Sequence, residues 1–315
     1  MHRFEKSTLL TRRRSAAAVA VAVVGAALLA GCGPQHGEAP AASGVGGPCG
    51  SPLASASGSA PETSGLAQGG ARITAVGSTC AEYEVTNPGG EPSDVTVEFS
   101  RLSATGAALD SVTDTVAGLA PGATAKKRID LQGRGPERPG AGPQVKIAKV
   151  RSVPSAEAPQ PGGPCPASGL RLYADQGDAA MGLRVVGLLL RNCGTSTVTV
   201  NGYPQLQLLD LAHRPVDGVR ILPGGAGIAT GTGADTPPRE IALRPGEGAH
   251  ATLVWRNTTE AGEPVNAPYV RVRATPDGAP VMVAPELDLG TTGRLGVGAW
   301  SRDDGTEPAT RPPAG

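Results

Sequence analysis

Aromatic residues are scarce in this 315-residue chain: two tryptophans, two phenylalanines and four tyrosines make up 3 % of it. Any core must therefore be built from Val, Leu, Ile and Ala. A net charge is missing as well, since 28 Lys and Arg balance 28 Asp and Glu. With no basic stripe interleaved with aromatics, nucleic acid is excluded as a partner. No 3.6-residue hydrophobic period is sustained beyond the first thirty or so residues, which argues against a helical core. Chemistry has no visible foothold either. The chain lacks a G-x-S-x-G elbow, and the glycine-rich stretch Gly224 to Gly233 has no lysine to meet a phosphate and misses the dinucleotide pattern by one residue. The histidines His2, His36, His213 and His250 are scattered, the cysteines lack C-x-x-C spacing, and Asp235, Glu240 and Glu247 match no calcium loop. These gaps lead us to expect no catalytic residue, no cofactor and no metal.

What the chain does have is an address. Arg12-Arg13-Arg14 precedes an apolar run, Ser15 to Ala30, that closes on Leu29-Ala30-Gly31-Cys32. A membrane span needs about twenty apolar residues, so a shorter run ending in small residues before a cysteine reads as a cleavable lipoprotein signal over residues 1–31. The expectation is cleavage before Cys32, acylation of its sulfur, and a protein leashed to the outer face of the cell membrane. At about 0.8 kcal/mol per buried methylene, two or more chains make such an anchor stable. Thr11-Arg12-Arg13 echoes twin-arginine export, but the residues after it lack the large apolar side chain that route favours, so general secretion is expected. Residues 1–32 hold five basic and one acidic residue, so the remainder carries 23 basic against 27 acidic.

Gly 46 and Pro 30 make the chain turn-rich, and part of that excess is local. Residues 32–70 are almost all Gly, Ala, Ser and Pro and read as a flexible tether; 154–164 read as a Pro/Gly linker and 301–315 as a disordered tail. Two domains remain, 71–153 and 165–300. Beyond Cys32, four cysteines allow three pairings. Nearest-neighbour pairing, Cys49 with Cys80 and Cys165 with Cys193, sets one bridge at the N-terminal edge of each domain and is the expected one.

The two domains echo one another. Glu84-Val85-Thr86-Asn87, a Gly89-Gly90 turn and Val95-Thr96-Val97 parallel Leu190-Arg191-Asn192, a Gly194 turn and Val198-Thr199-Val200. Farther on, Leu119-Ala120-Pro121-Gly122 parallels Leu243-Arg244-Pro245-Gly246, and Val145-Lys146-Ile147 parallels Val270-Arg271-Val272. One interval differs: from Val-Thr-Val to Leu-x-Pro-Gly is 24 residues in the first copy and 45 in the second, which places an insertion at Ile221 to Glu240. Alternation such as Val95, Val97 and Phe99 against Thr96 and Glu98 describes half-buried strands, and Asn-Gly and Pro-Gly supply reversals. The fold expected is all-β, two immunoglobulin-like antiparallel β-sandwich domains. Trp255 and Trp300 are assigned to the core of the second.

Cys165-Pro166, Gly169-Leu170, Leu190-Arg191-Asn192-Cys193-Gly194, Gly202-Tyr203-Pro204, Leu208-Leu209-Asp210, Leu243-Arg244-Pro245-Gly246 and Trp255 resemble the actinobacterial domain of unknown function 4232. That resemblance implies an exported, often lipid-anchored β-sandwich with no established activity. Residues 71–153 resemble, more loosely, FxLYD-type exported sandwich domains. The functional expectation is a non-catalytic binding module at the cell envelope, contacting an envelope protein or wall component. Its candidate interaction loop contains Gly224, Gly225, Gly227, Gly231 and Asp235, read as a flexible surface insertion. A structural spacer of an envelope complex is the alternative, and an exported hydrolase is disfavoured.

Overall fold

The computed structural model describes Cys49 and residues 51–52, 65–77, 79–103, 105–131 and 144–303. The signal, Cys32 and most of the tether and tail lie outside them. Strands dominate, and no helix among the described residues is long and apolar enough to cross a membrane.

In the first sandwich one sheet runs Ser51–Pro52, Ala71–Val76, Cys80–Thr86, Thr124–Asp130, with Ala67–Gln68 also paired to Ala71–Val76. The facing sheet runs Ala108–Leu119, Ser93–Leu102, Gln144–Pro154. Period-two alternation sends Ile73, Tyr83, Val85, Val95, Val97, Phe99 and Ile147 into one core. Its aromatic content is a single edge-on pair, Tyr83 and Phe99, with ring centroids 4.9 Å apart. Residues 65–70 and Cys49, expected to lie in the tether, belong to this sandwich: Leu66 packs on its core and Cys49 is bridged to Cys80.

Among the described strands, the long strand Ala108–Leu119 has a partner on one side only, an arrangement that invites edge-to-edge pairing. Two carboxylates on its core-facing side counter that. Asp110 accepts the Nε and a terminal nitrogen of buried Arg101, both at 2.8 Å, and Asp114 accepts the Tyr83 hydroxyl at 2.9 Å. Burial, then the bond to Asp114, pushes the Tyr83 phenol well above its ordinary range. A neighbouring strand could cover these charges only by stripping their water.

The second sandwich has a large sheet in which Leu183–Asn192 pairs with Leu170–Ala174, Asp178–Ala180 and Gly248–Arg256. Arg294–Val297 and Arg220–Pro223 continue it. Smaller ladders face it, the largest being Gln205–Leu209, Tyr269–Arg273 and Val281–Val283. Trp255 and Trp300 are buried in this core; Trp300 donates its indole N–H to the Ala274 carbonyl at 3.2 Å. Ser301–Arg302, expected to begin the tail, pair with Ala249–His250.

The insertion differs from expectation in a definite way. It opens with the strand Arg220–Pro223, whose pairing to Arg294–Val297 is the one parallel ladder among the described strands. The following loop is packed and hydrogen-bonded to itself. Asp235 Oδ1 accepts the N–H groups of Gly225 and Ala226, each at 2.8 Å, and Ala234 is fully buried. Close approach explains two of the glycines beneath it: a Cβ at Gly296 would lie 2.6 Å from the Gly224 carbonyl oxygen, and one at Gly298 3.0 Å from the Ala234 Cα.

The echo in the sequence is an echo in bonding. Asn87 and Asn192 are both buried. Asn87 Nδ2 donates to the carbonyls of Glu91 and Leu119, each at 2.8 Å, while its Oδ1 accepts the Gly89 N–H at 2.8 Å. Asn192 Nδ2 donates to the carbonyls of Ser196 and Leu243, each at 2.8 Å, and its Oδ1 accepts the Gly194 N–H at 3.0 Å. The main chain repeats too, for Gly122 N–H reaches the Asn87 carbonyl and Gly246 N–H the Asn192 carbonyl. One asparagine per sandwich thus ties a strand end and its turn to the Pro-Gly reversal.

Candidate functional site

The sequence-predicted residues do not converge. Asp235 is engaged with its own loop, Glu247 accepts the Arg244 N–H at 2.7 Å and pairs with Arg302, and His250 Nδ1 meets Asp303 Oδ1 at 2.8 Å. The bond from the Arg244 amide, reinforced by Arg302, holds the Glu247 carboxyl below its ordinary range. Of the glycines in the candidate loop, Gly224 and Gly225 lie tightly against Asp235 and Thr232, Gly227 faces Leu222, and Gly231 sits in an open left-handed turn. Among the described residues no group of His, Cys, Asp and Glu is arranged to hold a metal ion. Both bridges match nearest-neighbour pairing, Cys49 with Cys80 and Cys165 with Cys193, at Cα separations of 5.5 and 5.6 Å.

The residues that do converge lie where the sandwiches meet. Strand Gln144–Pro154 ends the first sandwich, and its Val153 packs with Leu209, Tyr269 and Met282 of the second in a small separate core. Around that core the polar groups interlock. Tyr269 accepts the Ser152 N–H at 3.0 Å, and His213 Nε2 donates to the Ser152 carbonyl at 2.8 Å while its ring meets Tyr269 edge-on at 4.8 Å. Burial raises the Tyr269 phenol, with the Ser152 bond pulling the other way. Arg151 grips Glu286 with two parallel bonds of 2.6 Å, a fork geometry that fixes direction as well as distance. The segment beyond is laced down: Ser155 Oγ reaches Asp94 at 2.6 Å, Glu157 takes the Arg271 Nε at 2.7 Å, and Arg171 reaches the Gly163 carbonyl at 2.7 Å. The expected linker 154–164 is therefore a strap tied to both sandwiches.

Beside this junction a cleft of about 690 Å³ opens, lined by Arg151 of the first sandwich and by Asp210, Leu211, Arg214, Glu286 and Asp288 of the second. Leu211 is 65 % exposed at its rim. Backbone strain gathers here. Only three non-glycine residues among those described have left-handed backbone, and two of them, His213 (φ 58) and Glu286 (φ 57), border this junction. Such conformations cost about 1–3 kcal/mol and persist where surrounding contacts enforce them. The Leu211 turn is enforced by Asp210, whose Oδ1 accepts the amides of Ala212 and Arg214 at 2.8 and 2.9 Å. The Arg214 amide, chiefly, keeps the Asp210 carboxyl below its usual range. Asp288 is held by Trp255 Nε1 at 2.7 Å, Asn257 Nδ2 at 3.0 Å and Arg184 at 3.4 Å. The result is an open groove with an exposed leucine at its rim and with its charged side chains paired.

No curated protein matches the chain. Among solved structures, "Crystal structure of putative beta-galactosidase from bacteroides fragilis" aligns at 14 % identity with a TM-score of 0.19, over 69 % of this chain and 33 % of that one. This chain spans about a third of that protein's length, and an overlap so slight defines no common fold. Residues 165–301 match the family model described as Domain of unknown function (DUF4232), so the second sandwich carries that domain.

Proposed function

We propose that this protein is a lipid-anchored, extracytoplasmic, non-catalytic binding module that holds an envelope protein or wall component in the cleft of its second sandwich, beside the junction with the first. The observation that carries the reading is the cleft itself: an exposed leucine over an open groove whose left-handed residues, His213 and Glu286, are bonded across to the first sandwich. Two disulfides suit an oxidising compartment outside the cytoplasm. The lipobox supplies the anchor. Every carboxylate at the cleft is engaged by arginine, amide or indole donors, an arrangement that builds a scaffold and leaves none poised as a general base.

The test is site-specific photocrosslinking in the native cell, with the crosslinker placed at Leu211 or, as control, at Thr113 on the far sandwich. A discrete adduct at 211 that is absent at 113 supports the reading. Equal labelling at both positions removes it, and in that case the laced junction favours the second reading, a rigid spacer. Mass analysis of native material for an acylated Cys32 checks the anchor.

A further inference from the structure

The third left-handed non-glycine residue is Met181, at φ 48. It forms, with Gly182 at φ 79, the two-residue loop joining Asp178–Ala180 to Leu183–Asn192. Primed hairpin loops of this kind favour Asn, Asp or Gly, and an L-residue with a long side chain is disfavoured there by roughly 1–2 kcal/mol. Burial returns nothing, because Met181 is 99 % exposed. The flanking Ala179 and Ala180 are exposed as well. Among the described residues none packs on this side chain to account for the choice, and departures from local rules concentrate at functional sites.

The tip is firmly presented. Asp178, Ala179 and Ala180 pair with Val185, Arg184 and Leu183, and the Asn257 N–H reaches the Gly182 carbonyl at 3.0 Å. Asn257 also bonds Asp288, so the tip adjoins the cleft through one residue. Its charged surroundings carry both signs: Arg184 and Arg256 stand on the paired strands, Asp178 opens the hairpin, and Asp288 pairs with Arg184. A bilayer would select a cationic, larger apolar tip. A single flexible thioether in this mixed setting fits an apolar socket on a protein, the use in which methionine's unbranched, polarisable chain excels.

We infer that Met181 is an anchor that inserts into an apolar socket on a partner protein, beside whatever the cleft holds. The inference rests on the binding-module reading but uses a separate surface.

Oxidation footprinting tests it. Peroxide transfers one oxygen to an exposed methionine sulfur, giving the sulfoxide and water, and the rate follows exposure. Of three methionines, Met282 is buried and Met1 precedes the expected cleavage site. A Thr113→Met substitution adds an exposed internal standard on the far sandwich. In purified full-length protein in detergent, positions 181 and 113 should oxidise at similar rates. In intact native cells, position 181 should slow at least about fivefold relative to 113, by peptide mass spectrometry. Equal rates in cells overturn the inference. So does protection of the purified protein by vesicles containing anionic phospholipid, which would indicate a lipid contact, or protection that rises with its own concentration, which would indicate a second copy. An adduct at Leu211 with Met181 unprotected sinks the tip proposal alone. Loss of the Leu211 adduct with Met181 still protected sinks the cleft reading alone.

Discussion

The two sandwiches share a buried asparagine doing the same five hydrogen-bonding tasks, yet the stretch of chain between its two attachment points differs by about twenty residues. The first spans the gap with one long hairpin and fills its core around Tyr83 and Phe99. The second adds a parallel strand and a packed loop, and fills its core around two tryptophans. The asparagine fixes where a strand end meets the Pro-Gly turn, and the sandwich tolerates any connection that leaves those points in place. Side-chain amides suit this role because one group satisfies carbonyls and an amide that a turn would otherwise leave without partners.

The sharpest way to break the comparison is to cut the bridges. Their loops are nearly equal, 31 and 28 residues, so removing either pair by Cys→Ala should cost about 3 kcal/mol through the unfolded chain. Urea denaturation reads this. A large asymmetry would mean that one bridge acts on the folded state instead. Next come the asparagines: Asn87→Ala and Asn192→Ala should each cost about 2 kcal/mol, because each strands one buried and one part-buried carbonyl. A cost at 192 less than half that at 87 would show that the insertion has taken over the tie.

Arg151→Ala probes the link between the sandwiches. It should cost about 1–2 kcal/mol, since Glu286 is only partly buried, and should speed proteolysis within residues 154–164. Cleavage that stays slow would place the coupling in the Val153, Tyr269 and Met282 core. The smallest effect is in acid. Asp110, Asp210 and Glu247 have carboxyls held below their ordinary range, so their contribution is complete above the unfolded values near pH 4 and fades as pH falls through the lower folded values. Two of the three lie in the second sandwich, which should therefore lose relatively more as pH falls below about 4 in a thermal melt.

Strand positions, the bridges, the buried tryptophans and the repeat were legible in the sequence because each depends on local pattern or on a few rare residues. Alternation such as Val95-x-Val97-x-Phe99 is dictated by the pleat, and an asparagine before a glycine turn stands out in duplicate. The junction was not legible. Arg151 and Glu286 lie 135 residues apart and His213 lies 61 residues from Ser152, and no short-range rule ties residues at such distances. Glycine content misled for the insertion: Gly296 and Gly298, in another segment, give the loop room to pack, so abundant glycine there reflects close approach instead of slack. One signal was available and unused. Met181 precedes Gly182 between two runs of strand-forming residues, where a hairpin loop is due and a methionine is out of place.

The Cys49–Cys80 bridge has a mechanical consequence. Tension applied to the chain ahead of Cys49 bypasses the intervening thirty residues and enters covalently at Cys80, the first residue of Cys80–Thr86. That strand is flanked on both sides, by Ala71–Val76 and Thr124–Asp130, so a pull along its axis loads two ladders at once in shear instead of peeling them bond by bond. A pull transmitted through that bridge is thereby carried by a strand held along both of its edges.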